Sequence, residues 1–361
     1  MREENKIRAA QLRKELHAMA EVSMREENTR RHIKRFLREH TTLEVHAEDG
    51  WLWALHREES AAKTIAFRAD FDAVATGENT AAHLCGHDGH AAALCGLALE
   101  MEGKKYGKNI CLLFQHAEET GQGGRICAEL IKKANIDEIY GCHSLPGYPY
   151  GEICLKKGSF ACASRGLILK MQGTSAHAAY PENGKNPAPA LCELAARLPD
   201  FTAAEAYGGM VMATLIGIRC GRKAFGMAAS DGELYLTLRA HLNRDLQALE
   251  DKIITFCREK AQNGGFGFEY EHIDAFPGTE NEDACVRKVE IAAGKAGYSL
   301  FSLPEPMRWS EDFGWYLMEC PGAYFGIGAG ENCPALHTPD FEYNDDLIEN
   351  TVSMFENIAI L

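Results

Sequence analysis

Short apolar runs alternate with segments of helical spacing along much of this chain. Two helical segments open it, at roughly residues 5–20 and 24–40. "TLEVHAE", "GWLWALHRE" and "KTIAFRADFD" then alternate as strands do, and "GHAAALCGLALEME" has the spacing of a helix. "NICLLFQHAEE", "GRICAELIKKA" and "IDEIYGCHSL" repeat the order strand, helix, strand. This alternation predicts an α/β fold with a mostly parallel central sheet and helices on its faces.

The pattern changes near Gly158. Runs such as "FACASRGLILKMQG" and "MVMATLIGIRC" predict about four strands, and "NPAPALCELAARL" is one of two helices, which makes a compact α+β insert. Helix and strand alternate again after it. Since 361 residues exceed one ordinary core, we predict one domain from residues 1–157 and 277–361. A second domain, residues 158–276, is inserted between its halves.

Charge and cysteine usage exclude several classes of partner. The chain has 38 Lys and Arg against 52 Asp and Glu, a formal net charge of −14, which disfavours binding to nucleic acids and to membrane surfaces. It has no apolar run of about 18 residues that could span a membrane. The start "MREENKIRAAQLRKELH" lacks the apolar core of a signal peptide, and no pair among the 13 cysteines is spaced Cys-x-x-Cys. We expect a cytoplasmic protein with reduced thiols.

Residues typical of metal sites follow the predicted strands. Cys85 and His87 of "HLCGHDGHAA" offer a thiolate and an imidazole, which suit a borderline-soft divalent ion. Glu118 and Glu119 stand side by side where an apolar strand stops, and such a pair needs a cation or a proton to compensate its repulsion. One carboxylate could bind a metal while the other acts as a general base.

Two histidines end further predicted strands, and each feature also has a simpler explanation. His143 ends "IDEIYGCHSLP", and His337 follows the glycine-rich "FGIGAG". Each could be a structural histidine, Cys85 could be a buried cysteine beside a capping loop, and the acidic pair could stabilise a helix N-terminus. However, the carboxyl ends of parallel strands meet at one edge of a sheet. We therefore expect these side chains to converge there.

Seven segments occur in the order seen in the metallopeptidases of peptidase family M20, which the sequence resembles over nearly its whole length. They are "RADFD", "CGHDGHAA", "FQHAEETGQGG", "GCHSLP", "GTSAHAAYP", "SEDF" and "ALHTPDFEYND". The similarity is greatest to the amidohydrolase branch, which includes hippurate hydrolases, aminoacylases and N-acetyl-diaminopimelate deacetylases. The resemblance implies a zinc-peptidase-like catalytic domain and an inserted domain that serves as a lid and forms a homodimer.

The resemblance also implies a centre of two divalent metal ions. The implied ligands are Cys85, His87, Glu119, His143 and His337. Cys85 would bridge the ions, with His87 and His143 completing one and Glu119 and His337 the other. Zinc, manganese, cobalt and nickel all remain open, and a thiolate ligand disfavours magnesium and calcium.

The remaining implied residues act on the water and on the substrate. Glu118 would be the general base on a bridging water, and Asp72 of "RADFD" would orient the metal centre. In the inserted domain, His177 would reach the scissile carbonyl, and Arg239 would bind the substrate carboxylate. Gly226 stands where the family usually has an asparagine that holds polar groups of the substrate, which suggests an altered substrate site.

The implied reaction is hydrolysis of the amide bond of an N-acyl amino acid, with an N-acetyl or aromatic acyl group. A dipeptidase or exopeptidase could use the same two-metal centre on a short peptide. A silent metal-binding or ligand-binding protein of the same fold is an alternative outside the enzymes.

Overall fold

The computed structural model describes residues 1–78 and 80–361. The α-helices among them are α1 (Glu3–His17), α2 (Glu27–His40), α3 (His87–Met101), α4 (Gly123–Cys127), α5 (Glu129–Lys133), α6 (Ala188–Phe201), α7 (Asn243–Gly264), α8 (Asp283–Ala296), α9 (Gly314–Leu317) and α10 (Leu347–Ala359). The strands are β1 (Glu44–Ala47), β2 (Leu52–His56), β3 (Thr64–Asp70), β4 (Val74–Gly77), β5 (Thr80–Ala82), β6 (Asn109–Gln115), β7 (Glu138–Pro146), β8 (Ile153–Leu155), β9 (Gly158–Ser159), β10 (Ala163–Gln172), β11 (Val211–Cys220), β12 (Asp231–Ala240), β13 (Gly267–Phe276), β14 (Glu280–Asn281), β15 (Leu300–Ser302) and β16 (Gly322–Gly330). These elements belong to two compact units.

The first unit is built around an eight-stranded sheet. It contains Met1–Phe160, Thr279–Met307 and Glu311–Leu361. The strand order is β1-β2-β6-β3-β7-β16-β8-β15, and the central strands β6, β3, β7 and β16 are parallel. β1 and β2 are antiparallel to their neighbours, as is β8 to β16. The prediction of an α/β fold with a mostly parallel central sheet is confirmed.

α3 is buried along all of its length, because its sequence is rich in alanine, glycine and leucine on every side. It packs against α1, α10 and β3. At its start, a Cβ on Gly89 would lie only 2.3 Å from the ring of Tyr343, so the close approach requires glycine. β3 is also fully buried, as expected for a central strand covered on both faces. The residues that begin α3 therefore stand on a tightly packed support.

The second unit contains Ala161–Gly278 and Arg308–Ser310. Its antiparallel sheet has the order β11-β12-β10-β13, and α6 and α7 pack against it around a leucine-rich core. The four strands and two helices match the predicted α+β insert. The predicted limits placed Arg308–Ser310 in the first domain. They belong to the second unit, where the N–H of Cys162 donates to the carbonyl of Trp309 at 3.2 Å.

Several local features differ from the sequence expectations. The second helix begins at Glu27 rather than near residue 24, because Met24 has a left-handed backbone with φ of 68°. The pairings of β4 with β5, β8 with β15 and β9 with β14 were not predicted, since strands of two to four residues are too short to show a period. Within the described residues, no helix has the length and apolarity to cross a membrane.

Candidate metal centre

Two groups of ligand-type side chains share Cys85, just before α3. The ligand atoms of Cys85, His87 and His143 all lie within 4.8 Å of one another. Those of Cys85, Glu119 and His337 do the same. The fold thus brings the five residues that the sequence pattern singled out into one cluster, with the Cys85 sulfur common to both groups.

The distances within the cluster suit side chains that face a common ion. Cys85 Sγ lies 3.4 Å from Nε2 of His143 and 3.4 Å from Nε2 of His337. Glu119 Oε1 lies 3.6 Å from Nε2 of His337 and 3.9 Å from Nε2 of His87. Two ligands that each stand about 2.1 Å from a tetrahedral ion are about 3.4 Å apart. The spacing between side chains is therefore close to that of a metal site.

The histidine tautomers leave nitrogen lone pairs directed at the cluster. Nδ1 of His87 lies 3.1 Å from both the backbone carbonyl and Oδ1 of Asp72. Nδ1 of His143 lies 2.8 Å from the carbonyl of Ser144. Because carbonyl and carboxylate oxygens only accept hydrogen bonds, each Nδ1 carries the proton. Nε2 is then the nitrogen available to a metal ion.

Two buried atoms of the cluster lack a hydrogen-bond partner among the described residues: His87 Nε2 and Glu119 Oε1. A buried polar atom without a partner costs about 1–3 kcal/mol, so such atoms usually face a ligand or water. A thiolate, three imidazoles and a carboxylate form the donor set that zinc and neighbouring divalent ions prefer. The residues present therefore fit a divalent-metal centre.

Gly86 forms a tight bend that allows the side chains of Cys85 and His87, on either side of it, to lie in the same cluster. Its φ is 88°, in the left-handed region that favours glycine. A Cβ at this position would also stand 3.0 Å from the ring of Tyr343 and 3.1 Å from Oγ of Ser144. The Cys-Gly-His spacing is thus required by the backbone as well as by the ligands.

Asp72 supports the cluster through its neighbours. Besides His87, its carboxylate accepts the backbone N–H of Glu119 at 3.0 Å and the hydroxyl of Ser23 at 2.7 Å. Burial alone would raise the pKa of Asp72, but the hydrogen bonds from His87 and Ser23 lower it below its ordinary value. Asp72 is therefore a carboxylate that orients His87 and the backbone of Glu119.

Glu118 and Glu119 both lie in a low-dielectric environment after β6. Burial, followed by repulsion from Glu311 and Asp312, raises the pKa of Glu118 well above its ordinary value. Burial raises the pKa of Glu119 to about 7 against the opposing effect of His87. A cation bound in the cluster would compensate this concentration of carboxylates.

A buried arginine network beside the cluster was not predicted. Arg68 donates to Asp70 at 2.6 Å, to Asp312 at 2.8 Å and to Gln115 at 2.7 Å. Asp70 also accepts a hydrogen bond from Nδ1 of His90 at 2.7 Å. The signal in the sequence was a charged pair inside the otherwise apolar strand "TIAFRAD". The network ties the ends of β3 and β6 to the segment between β15 and α9.

The two predicted substrate-binding residues belong to the second unit. His177 is exposed, and its Nδ1 accepts the N–H of Ala179 at 3.0 Å. Arg239 on β12 donates from Nη1 to the carbonyl of Arg308 and to Oγ of Ser310, both at 2.9 Å. These contacts lie within that unit, and the substrate-binding roles of both residues stay predictions.

Residues 66–360 match the model of peptidase family M20/M25/M40. The chain belongs to this family. The M20/M25/M40 protein is accordingly a metal-dependent hydrolase that acts on amide bonds. The resemblance on which the sequence interpretation rests is confirmed.

Individual members of the family are similar to this protein over most of its length. It is 26% identical over 368 residues to an uncharacterised hydrolase of Staphylococcus aureus, covering 96% of each chain. It is 27% identical over 314 residues to the hippurate hydrolase of Campylobacter jejuni, covering 82% of this chain and 81% of the relative. The structure of a dinuclear metal-binding M20 peptidase from Bacillus subtilis has a TM-score of 0.84 at 22% identity and covers 100% of this chain and 98% of that one. The last similarity establishes the fold.

Proposed function

We propose that the protein hydrolyses the amide bond of N-acyl amino acids at a centre of two divalent metal ions. The observation that carries the proposal is the pair of unpartnered buried atoms, His87 Nε2 and Glu119 Oε1, in a cluster centred on Cys85. The similarity to a hippurate hydrolase supports an N-acyl amino acid as substrate. The products are a carboxylic acid and a free amino acid.

Five side chains would hold the two ions. Cys85 would be shared, His87 and His143 would serve one ion, and Glu119 and His337 would serve the other, in line with the two ligand groups that have Cys85 in common. The nitrogen, sulfur and carboxylate donors of the cluster are compatible with zinc, manganese, cobalt or nickel. When bound, they supply Lewis acidity, which makes water nucleophilic near neutral pH and polarises the substrate carbonyl.

Glu118 is the proposed general base. Its Oε2 lies 3.9 Å from Nε2 of His87, so it borders the ligand cluster without belonging to the five ligands. The carboxylate takes the proton of the attacking water and later delivers it to the nitrogen of the leaving amine. Burial, followed by repulsion from Glu311 and Asp312, raises the pKa of Glu118, which increases the basicity of its carboxylate towards the water proton.

We further propose that His177 stabilises the negative charge that develops on the scissile carbonyl oxygen, and that Arg239 binds the substrate carboxylate. A homodimer formed through the second unit and a cytoplasmic location are parts of the same proposal. All 13 cysteines are unbridged, which supports a reducing compartment. A dipeptidase or exopeptidase activity is the second candidate, favoured by the fold similarity to a dinuclear metal-binding M20 peptidase.

A substrate panel tests the proposal. The metal-free protein is reloaded separately with zinc, manganese, cobalt or nickel, and hippurate and N-acetyl amino acids are compared with dipeptides by kcat/KM. We expect the N-acyl amino acids to be preferred. A preference for dipeptides would support the second candidate.

Glu118→Gln is the control for catalysis, because it keeps the shape of the side chain and removes the base. We expect it to retain metal and to lose at least about 100-fold in kcat. If the metal-loaded wild type and Glu118→Gln were equally inactive on every amide, the silent binding protein would be the better interpretation.

A further inference from the structure

The segment Glu21–Glu26, between α1 and α2, lies outside the residues that match the family model, yet it is connected to the candidate metal centre. Val22 forms a parallel bridge with Ala73, and the N–H of Ala73 donates to the carbonyl of Glu21 at 2.9 Å. This pairing places the segment alongside the residue that follows Asp72. The chain thus adds an element to the site that comes from its N-terminal part.

Glu26 reaches from this segment to the loop that carries the proposed base and a proposed ligand. Its side chain is buried, and Oε1 accepts the backbone N–H of Ala117 at 2.8 Å. Ala117 directly precedes Glu118 and Glu119, and its φ of 50° is left-handed. An alanine in that conformation costs on the order of 1 kcal/mol, so it persists only where the surroundings hold it. The hydrogen bond to Glu26 supplies one such restraint.

Ser23 supplies the second contact from the same segment. Its hydroxyl donates to Oδ2 of Asp72 at 2.7 Å, and the same oxygen accepts the N–H of Glu119 at 3.0 Å. The loop therefore receives restraint at two successive points. One restraint acts on Ala117 through Glu26, and the other acts on Glu119 through Asp72 and Ser23.

A role for Glu26 in capping α2 does not explain these contacts. Its side chain makes no capping hydrogen bond to the helix, although it stands directly before it. Glu27, in the first turn, has a side chain that is 75% exposed and pairs with Arg31. An exposed acidic residue of this kind is what stabilisation of a helix N-terminus requires. Burial, together with repulsion from Asp72, raises the pKa of Glu26 to about 7. The carboxyl group instead points towards the loop, where it accepts the N–H of Ala117.

We propose that Glu26 and Ser23 are positioning residues of the metal centre, which hold the loop of Ala117, Glu118 and Glu119 in its active conformation. The inference rests on the proposed roles of Glu118 and Glu119. Neither Glu26 nor Ser23 is a ligand. They act by fixing the backbone from which the proposed base and ligand project.

Three variants at Glu26 and its neighbour test the proposal. Glu26→Met has a similar length and no acceptor, Glu26→Gln keeps one acceptor oxygen, and Glu27→Gln removes a charge from the adjacent exposed position. Binding of Co²⁺ to each metal-free protein is measured by equilibrium titration. We expect Glu26→Met to weaken Co²⁺ affinity about 10–100-fold, the usual effect of losing a residue that orients a ligand. Glu26→Gln should recover most of this loss, and Glu27→Gln should bind like the wild type.

Kinetics provide a second readout. For Glu26→Met at saturating metal, kcat should fall by about 10–100-fold, because Glu118 is displaced, whereas KM should change little. Ser23→Ala is a smaller change that keeps the test informative if Glu26→Met does not fold, and it should weaken Co²⁺ binding about tenfold. Wild-type Co²⁺ affinity and kcat in folded Glu26→Met, or wild-type affinity in Ser23→Ala, would overturn the proposal. If the wild type cleaved no amide, the proposed function would fail while the Co²⁺ titrations still decided this point.

Discussion

Nε2 of His337 lies 3.4 Å from Sγ of Cys85, although the two residues are 252 positions apart in the chain. This contact joins the loop after β16 to the segment just before α3, a helix that packs against α1, α10 and β3. Ligands drawn from such distant parts of the chain come together only in the folded protein. Metal binding and folding should therefore depend on each other.

Cys85→Ser should lose metal from both ligand groups, because the sulfur is common to them. We expect bound metal, measured by elemental analysis, to fall well below the wild-type amount and amide hydrolysis to fall about 100-fold or more. Cys95→Ala is the matched control, since Cys95 is a buried cysteine within α3 and belongs to no ligand group found among the described residues. Equal metal content in both variants would contradict the assignment.

Removal of metal should lower the stability of the wild type. A ligand that binds only the folded state at 100 times its dissociation constant stabilises it by about 2.7 kcal/mol. We therefore expect a chelator to lower the melting temperature in calorimetry and added Zn²⁺ to restore it. His337→Ala should reduce this restoration, because Zn²⁺ then has fewer ligands. A melting temperature that does not respond to chelation would rule out a tightly bound metal.

Arg68→Met should be among the most destabilising changes in the first unit. Its buried guanidinium is the shared counter-charge of Asp70, Glu311 and Asp312, which would lose that compensation. Breaking a buried ion pair costs about 3–5 kcal/mol, and we expect a loss of that size in urea unfolding. The control is Arg57→Met, which breaks an exposed pair with Glu44 and should cost about 1 kcal/mol or less. Similar losses for both variants would show that the network contributes little.

The ion pair between Lys288 and Glu138 should make the free energy of unfolding depend on pH in the acidic range. Lys288 Nζ lies 2.6 Å and 2.5 Å from the two carboxylate oxygens, and Tyr140 donates to the same carboxylate at 2.7 Å. Burial would raise the pKa of Glu138, but the hydrogen bonds from Lys288 and Tyr140 lower it below its ordinary value. A carboxyl group with a lowered folded-state pKa adds stability above its unfolded pKa, about 4.3 for Glu, and loses it as pH falls through the folded value.

Lys288→Met should therefore cost about 1–3 kcal/mol at pH 7, and the difference from wild type should shrink as the pH falls below about 4.3. Urea unfolding of the metal-free proteins measures it without interference from the metal ligands. Lys295→Met, at an exposed position of the same helix, is the control and should change stability little at any pH. A difference between Lys288→Met and wild type that stays constant down to pH 3 would contradict the pairing.

The sequence predicts the fold because apolar residues recur with a different period in strands and in helices. It predicts the ligand cluster because thiol, imidazole and carboxylate side chains follow several of those strands. The supports of the cluster leave no such signal. Glu26 contacts Ala117 across 91 positions, and nothing in the local pattern around either residue indicates the other. Arg68 appears in the sequence only as a charge inside an apolar strand, and its partners are 2 to 244 positions away. These contacts form only because the tertiary structure brings distant segments of the chain together.

The complete burial of α3 has a consequence for which metal the protein holds. Cys85 lies just before this helix and His87 is its first residue. Because the helix cannot shift without disturbing the core, the spacing of these two ligands is set before any ion arrives. A rigid pair of this kind does not reshape itself around ions of different radius. Among zinc, manganese, cobalt and nickel, the centre should then favour the ions whose radius and preferred geometry fit this fixed spacing, and the free concentration of each metal decides among those that fit.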